Sequence, residues 1–320
     1  MSLTVLEDIE KLTGNAMGGT ELMANGLEDR IDQSLLNNFQ IVCSRVRDID
    51  LSKIPILWLH DLPNDPESEK VSDPQWRKQF AKFVCVSDWQ MQQYNLFKKL
   101  PYGESIVLKN AITPFPEAPK TFDDKIRIIY HTTPHRGLEI LYPVFAELAK
   151  TYDNIVLDVY SSFNIYGWPQ RDEPYKALFA KLEEHPQINY HGFRPNEEVR
   201  EALQNAHIFA YPSVWPETSC IAMIEAMSAG CLCVHPNYAA LPETSGGWTS
   251  MYQFNEDANL HAREFYIYLK AAIDRVRDAD VQNMLNNQRM CTNMFYSWNN
   301  RIPQWERLLH ELLEAKKRAG

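Results

Sequence analysis

The stretch AHIFAYPSVWPETSCIAMIEAMSAG, residues 206–230, contains the pattern that decides the fold. A short apolar run, a loop with two prolines and an apolar segment ending at Gly230 predict a strand, a turn and a helix, with Thr218 or Ser219 as the helix N-cap. The loop is therefore expected at the carboxyl end of a strand. In an open α/β sheet ligands bind at this edge, and a helix start offers free backbone N–H groups to an anion.

Two carboxylates distinguish this stretch. The predicted helix is apolar or small from residue 221 to 229 except for Glu225 and Ser228, which indicates a buried helix. The carboxylate of Glu225 then either binds a polar ligand or carries a large desolvation cost. Glu217 lies just before the helix, where the helix dipole favours its charge. Each acid alone is compatible with an ordinary surface position, but together with the strand and the terminal glycine they favour a binding site.

The two acids, with seven residues between them, resemble the E-x7-E signature of retaining GT-B glycosyltransferases, especially those of family 4. The resemblance implies that Glu225 holds the ribose hydroxyls of a nucleotide-sugar and that Glu217 lies against the transferred sugar. It also implies that the backbone between the acids receives sugar and phosphate, at Thr218, Ser219, Cys220 and Ile221.

Composition limits the class of protein. The chain has 320 residues, 45% of them hydrophobic, which suffices for two domains with a buried core each. The formal net charge of −10 argues against a nucleic-acid partner and against peripheral contact with an anionic membrane. The six cysteines fall mostly in apolar runs, and neither a signal segment nor an apolar run of membrane length is apparent. We therefore expect a cytoplasmic protein without integral membrane contact.

The N-terminal region contains a glycine-rich loop. Residues 3–12 fit a helix or a short strand, and Gly18-Gly19 then precede Thr20, the predicted N-cap of a helix reaching about residue 31. A double glycine lets the backbone approach a ligand closely, although an ordinary flexible turn has the same pattern. The loop resembles the GG-x-E loop of the family, which faces the phosphates and sugar of the donor. This resemblance implies that Gly18 and Gly19 contact the donor.

Four strand-like runs separated by helix-like segments follow, and this alternation predicts a parallel sheet. The runs cover residues 39–44, 54–60, 82–87 and 105–110. The second run ends at His60. The family commonly has a histidine at a comparable strand end near the donor sugar, so the resemblance makes His60 a candidate catalytic residue, with a structural role as the alternative.

A loop in the second half of the chain, residues 131–137, carries a candidate phosphate site. Arg136 stands at a predicted helix start, where dipole and guanidinium are both positive, so it requires an anion unless it is solvated. The loop resembles the family's G-R-x4-K-G segment, with Arg136 at the lysine position and His131 at the arginine position. The resemblance implies that Arg136 binds the diphosphate. At the arginine position it leaves two alternatives: either His131 or a threonine such as Thr132 contacts the phosphates instead, or the donor binds more weakly.

Residues 188–198 resemble a family turn whose backbone near Phe193 and Arg194 meets the nucleotide base. Two further patterns suggest metal ligands. The first, Asp48-x-Asp50, is better explained by a solvated loop. The second, Cys231-x-Cys233-x-His235, is better explained by a buried strand, because zinc needs about four ligands.

The prediction is an α/β protein of the GT-B class, with two Rossmann-like domains facing a cleft. Three prolines within residues 113–124 predict the linker. The expected domains are residues 1–115 for the acceptor and 116–295 for the donor, and residues 296–320 form a C-terminal helix that crosses back to the first domain.

The resemblance implies a retaining, metal-independent hexosyltransferase that moves a sugar from a UDP-, GDP- or ADP-sugar to a hydroxyl of a glycan or glycoconjugate. No cofactor is expected, and the catalytic residues would be Glu217, His60 and Arg136. The alternatives are a catalytically weak or inactive sugar-nucleotide-binding protein and a GT-B-type epimerase.

Overall fold

The computed structural model describes residues 18–319, which form two compact units. The first unit contains residues 18–113 together with residues 296–319, and the second contains Pro114–Phe295. The expectations for residues 3–12 and for the first residues of the glycine-rich loop, 15–17, lie outside the described residues.

The first unit is built on four parallel strands in the order β1-β2-β3-β4. Every residue of β2 is buried, as expected for an apolar strand covered on both faces. The strands and the helices among them are α1 (Gly19–Glu28), α2 (Gln33–Leu36), β1 (Phe39–Cys43), β2 (Ile54–Leu59), α3 (Pro74–Arg77), β3 (Lys82–Cys85), α4 (Asp88–Lys98) and β4 (Ser105–Val107).

Several predicted boundaries in this unit are wrong. The strands end one to three residues earlier than expected. Ser87 accepts a hydrogen bond from the N–H of Gln90 and so caps α4. Thr20 lies inside α1, whose N-cap is Gly18, so the predicted threonine cap is also wrong.

The second unit is built on six parallel strands in the order β10-β9-β8-β5-β6-β7. The strands are β5 (Ile126–Tyr130), β6 (Ile155–Val159), β7 (Ile188–Tyr190), β8 (Ile208–Ala210), β9 (Leu232–Pro236) and β10 (Ser250–Tyr252). The chain moves outward from β5 to β7 and then returns to pair β8 on the other side of β5. The strand order therefore reverses between β5 and β8, and the loops that follow these two strands border the crevice where such sheets bind ligands.

Helices connect these strands, and the longest two follow the sheet. The α-helices of this unit are α5 (Leu138–Leu148), α6 (Lys176–Glu184), α7 (Asn196–Asn205), α8 (Ile221–Ser228), α9 (Leu241–Ser245), α10 (Ala258–Arg275) and α11 (Ala279–Tyr296). Helix α5 packs against α10, and α7 packs against α8. Residues 223–228 of α8 are all buried, as its apolar composition predicts.

The predicted start of this buried helix is wrong. Its N-cap is Cys220 rather than Thr218 or Ser219, and no side chain caps it. The side chain of Cys220 is 2% exposed, because it packs into the core. The two hydroxyl residues consequently lie in the loop that precedes the helix.

The last helix, α12 (Trp298–Ala319), belongs to the first unit. Its Trp305 is fully buried against Trp58, with ring centroids 4.7 Å apart. Just before the helix, the N–H of Ile112 donates to the carbonyl of Tyr296 at 2.8 Å, and the N–H of Trp298 donates to the carbonyl of Ile112 at 3.2 Å. The two backbone segments at the edge of this unit therefore run side by side. Among residues 18–319, no helix has both the length and the apolar character needed to cross a membrane.

Candidate functional site

The loops after β5 and β8 meet at the point where the strand order of the second unit reverses. Gly137 has a φ of 128°, and a Cβ at this position would lie 2.1 Å from the carbonyl oxygen of Pro212. Only glycine permits both this conformation and this approach. The N–H of Val214 also donates to the carbonyl of Arg136, at 3.3 Å. The backbone thus holds the two loops together.

An ion pair joins these loops. Nη1 of Arg136 donates to Oε1 of Glu217 at 2.6 Å, and the two side chains are 22% and 6% exposed. The hydroxyl of Tyr211 donates to the same carboxylate oxygen. Burial would lower the pKa of Arg136, but the neighbouring Glu217 carboxylate raises this pKa overall. The anion that Arg136 requires at a helix start is therefore supplied by the chain itself.

The loop after β5 contains buried polar atoms without a hydrogen-bond partner in the structure. They are Nε2 of His131, Oγ1 of Thr132, Oγ1 of Thr133, Nδ1 of His135 and Nε of Arg136. Buried polar groups in proteins are nearly always hydrogen-bonded, so a concentration of this kind indicates the place of a ligand. Thr132 lies in the same loop and is half-buried.

The two histidines of this loop are neutral at neutral pH. Burial lowers the pKa of His131 to about 4, and burial together with the nearby Arg136 lowers the pKa of His135 to about 4. The ring of His131 packs beside Phe209, with centroids 5.0 Å apart. His131 can therefore offer a hydrogen bond but no positive charge, and Arg136 is the cation of the loop.

Glu225 is buried in α8, as its position predicted, but its partner is another side chain. Nη1 of Arg200, in α7, donates to Oε1 of Glu225 at 2.5 Å. Burial raises the pKa of Glu225, while the charge of Arg200 opposes this shift. The guanidinium of Arg200 also lies 3.9 Å from the ring centroid of Phe115. The free-energy cost of burying the Glu225 carboxylate is thus offset by its ion pair with Arg200, a partner that the sequence did not predict.

The remaining candidates of the second unit surround these two acids. The loop residues Thr218 and Ser219 are half-buried between Glu217 and the start of α8. Cys220 and Ile221 contribute the cap and first residue of that helix, whose N–H groups face the same loop region. In the turn before α7, the side chain of Phe193 is half-buried. Arg194 is exposed and lies 3.6 Å from Glu198.

Three candidates belong to the first unit. Gly18 and Gly19 form the cap and the first residue of α1. His60 follows β2 at the carboxyl edge of that unit's sheet, and its N–H donates to Oγ of Ser44 at 2.8 Å. Burial lowers the pKa of His60 to about 3, so this imidazole is neutral.

The two patterns that resemble metal ligands lie in ordinary structural surroundings. Asp48 and Asp50 are in an exposed loop, where Asp50 binds the backbone and hydroxyl of Ser52. The Cys231-x-Cys233-x-His235 segment is buried, and Nε2 of His235 is 2.7 Å from Oγ1 of Thr249. Within residues 18–319, no group of three or more His, Cys, Asp or Glu side chains is arranged to hold a metal ion.

Sequence reasoning missed an aromatic group around Arg136. Nη2 of Arg136 donates to the hydroxyl of Tyr166 at 3.4 Å, and its guanidinium lies 6.0 Å from the ring centroid of Trp215. Tyr166 comes from the segment after β6, which is rich in aromatic residues between positions 163 and 175. That local enrichment was the available signal, but its position beside the β5 loop follows only from strand order.

Comparison with known proteins gives a consistent result. Residues 114–254 match the family model described as Glycosyl transferases group 1. The chain is 26% identical over 165 residues to a phosphatidylinositol N-acetylglucosaminyltransferase subunit of Arabidopsis thaliana. The match covers 50% of this chain and 35% of that protein, so the chain matches about a third of the relative's length.

Two solved structures share the fold over most of the chain. A glycosyltransferase from Rickettsia africae has a TM-score of 0.65 at 16% identity, covering 93% of this chain and 81% of that chain. HepE from Anabaena, solved in complex with UDP and glucose, has a TM-score of 0.63 at 14% identity, covering 81% of this chain and 72% of that chain. At these identities the likeness shows a common fold.

Proposed function

We propose that this chain, whose residues 114–254 match the Glycosyl transferases group 1 model and whose fold is that of solved glycosyltransferases, transfers a sugar from a nucleotide diphospho-sugar to an acceptor hydroxyl, with retention of configuration. The observation that carries this proposal is the Arg136–Glu217 pair, held between the loops after β5 and β8. An ion pair at a strand-order reversal, beside a helix start, suits a ligand with a negative phosphate and a polar sugar.

Arg136 is suited to stabilise the departing diphosphate. Its Nη1 is bound by Glu217 and its Nη2 lies near Tyr166, whereas Nε has no partner. Negative charge grows on the β-phosphate as the glycosidic bond breaks, and a fixed donor there lowers the barrier. The guanidinium and the N-terminus of α8 would supply this positive potential, which supports a reaction without a metal requirement.

Glu217 is suited to orient the transferred sugar. One carboxylate oxygen is fixed by Arg136 and Tyr211, so the group has a defined position beside the loop residues 218–220. A carboxylate near the anomeric carbon would also stabilise the positive charge of an oxocarbenium-like transition state. The departing phosphate can take the proton of the acceptor hydroxyl, so no separate base is needed.

The donor would be a UDP-sugar in the first instance. HepE, which shares the fold, binds UDP and glucose, and the Arabidopsis relative is named as an N-acetylglucosaminyltransferase. Glu225 would hold the ribose while Arg200 keeps its carboxylate in place. The acceptor would be a glycan or glycoconjugate. Four of the six cysteines are buried, and this cysteine usage suits a reducing cytoplasm.

A thermal-shift panel of UDP-, GDP- and ADP-sugars tests the proposal. A ligand that binds only the native state at about 100 times its Kd stabilises the protein by about 2.7 kcal/mol. We expect one nucleotide class to raise Tm, and we expect Glu225→Ala to lose most of this effect. If no sugar-nucleotide raises Tm, the proposal is wrong.

Nucleotide release separates the enzyme from its alternatives. A transferase releases the nucleoside diphosphate faster when an acceptor glycan is added, and Glu217→Ala should slow this release. Donor binding without release would indicate a sugar-nucleotide-binding protein, and conversion of the donor sugar to its epimer would indicate an epimerase. Either result would contradict the transferase assignment.

A further inference from the structure

The loop after β8 presents a large aromatic ring to solvent. The side chain of Trp215 is 38% exposed, and its neighbour Val214 is 41% exposed. Trp215 stands two residues before Glu217, at the carboxyl edge of the sheet. An aromatic ring beside a polar site offers a ligand a large apolar surface next to hydrogen-bonding groups.

The ring is held in position without a ligand. The N–H of Trp215 donates to Oγ of Ser213 at 3.2 Å, and the N–H of Glu217 donates to the carbonyl of Trp215 at 2.9 Å. Edge-on contact with His135, at a centroid distance of 4.8 Å and an interplanar angle of 82°, fixes the side chain. His135 is itself stacked on the buried ring of Phe163. A ring fixed in this way loses little conformational entropy when it binds a ligand.

Polar atoms adjoin the ring. Nδ1 of His135 and Nε of Arg136 are buried and have no hydrogen-bond partner. A pyranose ring has apolar C–H faces and a rim of hydroxyl groups, so it matches an aromatic surface that is bordered by unpaired donors and acceptors. A purely apolar ligand would leave these polar atoms unpaired, at a cost in free energy.

We propose that Trp215, with His135 beside it, is a stacking platform for a pyranose ring next to Glu217. This inference rests on the proposed function, because it names the substrate class that the same edge of the second unit recognises. The pyranose is either the sugar that is transferred or a sugar of the acceptor, and the chemistry of stacking is the same for both.

Saturation-transfer NMR with methyl α-glucopyranoside and methyl N-acetylglucosaminide tests the platform directly. We expect the strongest saturation at ring C–H protons, and a loss of about threefold to tenfold in affinity in Trp215→Ala. Trp215→Phe should retain most of the binding, and the matched control Val214→Ala, which removes exposed apolar area on the same turn, should change affinity by less than about twofold.

The source of the sugar is decided by two further measurements. If the transferred sugar stacks on the ring, Trp215→Ala weakens the binding of UDP-glucose or UDP-N-acetylglucosamine but leaves the Kd of UDP unchanged. If an acceptor sugar stacks there, the same variant raises the acceptor KM and leaves donor affinity unchanged. Either pattern supports the platform.

The proposal is overturned if Trp215→Ala keeps wild-type Tm and also keeps glycoside affinity, donor affinity and acceptor KM within about twofold. If Trp215→Ala unfolds, the comparison of Trp215→Phe with Trp215→Leu replaces it, because both keep apolar bulk and only one keeps an aromatic ring. Equal glycoside affinity in those two variants would likewise overturn the proposal. Failure of the wild-type protein to bind any nucleotide-sugar refutes the proposed function instead, and the glycoside measurement still decides the platform.

Discussion

Removing both partners of the Arg136–Glu217 pair should cost clearly less stability than the sum of the two single removals. Glu217→Gln keeps the shape of the side chain and the contact with Tyr211, but it leaves a guanidinium that is only 22% exposed without its counter-ion. Arg136→Met leaves a carboxylate that is only 6% exposed without its cation. The double variant leaves no unpaired charge at this position.

The structure sets the expected magnitude. Breaking a fully buried ion pair from one side costs about 3–5 kcal/mol. Partial exposure of Arg136 allows water to screen its charge, so we expect about 2 kcal/mol for Glu217→Gln and about 3 kcal/mol for Arg136→Met. The double variant should lose less than the sum, which gives a coupling free energy of about 2 kcal/mol.

Urea unfolding at neutral pH measures these values, with the transition of the second unit fitted separately from that of the first. The matched control is the Arg194–Glu198 pair of the same unit, whose side chains are 46% and 57% exposed at a distance of 3.6 Å. Its coupling free energy should be below about 0.5 kcal/mol. Equal coupling at the two pairs would refute the argument that burial makes the Arg136–Glu217 pair strong.

Three further predictions follow from single positions. Gly137→Ala should destabilise the second unit by at least about 2 kcal/mol, because residue 137 has a positive φ and the new Cβ would clash with the carbonyl of Pro212. The control Gly103→Ala, where a Cβ meets nothing within 4 Å, should cost less than about 1 kcal/mol. Urea titration measures both unfolding free energies. His131 has a pKa of about 4 when folded and about 6.5 when unfolded, so its contribution to stability is full above that unfolded value and falls as pH drops toward 4. At about pH 5 this loss approaches 2 kcal/mol, and a His131→Gln variant whose unfolding free energy has the wild-type pH dependence would contradict the assignment. Arg200→Met should destabilise the protein most at neutral and higher pH, because burial raises the pKa of Glu225 and an unpaired carboxylate is costly there unless it is protonated. If the loss of unfolding free energy in this variant stays constant from about pH 8 to pH 5, Arg200 does not have this role.

The fold class could be predicted because its signals are local. Alternation of apolar runs with helical segments indicated parallel sheets, and both units contain them. The resemblance to GT-B glycosyltransferases, drawn from the spacing of Glu217 and Glu225, is confirmed by the Glycosyl transferases group 1 match over residues 114–254 and by the shared fold. The apolar composition around Glu225 likewise predicted a buried helix, because burial of a whole helix leaves no polar face in the sequence.

The partners of the buried charges could not be predicted, because they depend on tertiary packing. Arg200 lies 25 positions from Glu225 in the chain, and Arg136 lies 81 positions from Glu217. A polar residue at a helix start signals a need for a counter-charge, but it does not say whether a ligand or the protein supplies it. The predicted N-cap of α8 was wrong for a related reason: the packing of Cys220 into the core outweighed the capping preference of Thr218 and Ser219.

The backbone contact between Ile112 and Tyr296 gives the chain the topology of an inserted module. Residues 114–295 are continuous in sequence, while the positions that flank them are joined by a hydrogen bond of 2.8 Å. A few glycines could therefore bridge the gap after excision, and the split α/β unit that remains would keep its terminal helix. The excised segment would retain the Arg136–Glu217 pair and Glu225, so donor affinity could be titrated on a fragment of roughly half the chain's length.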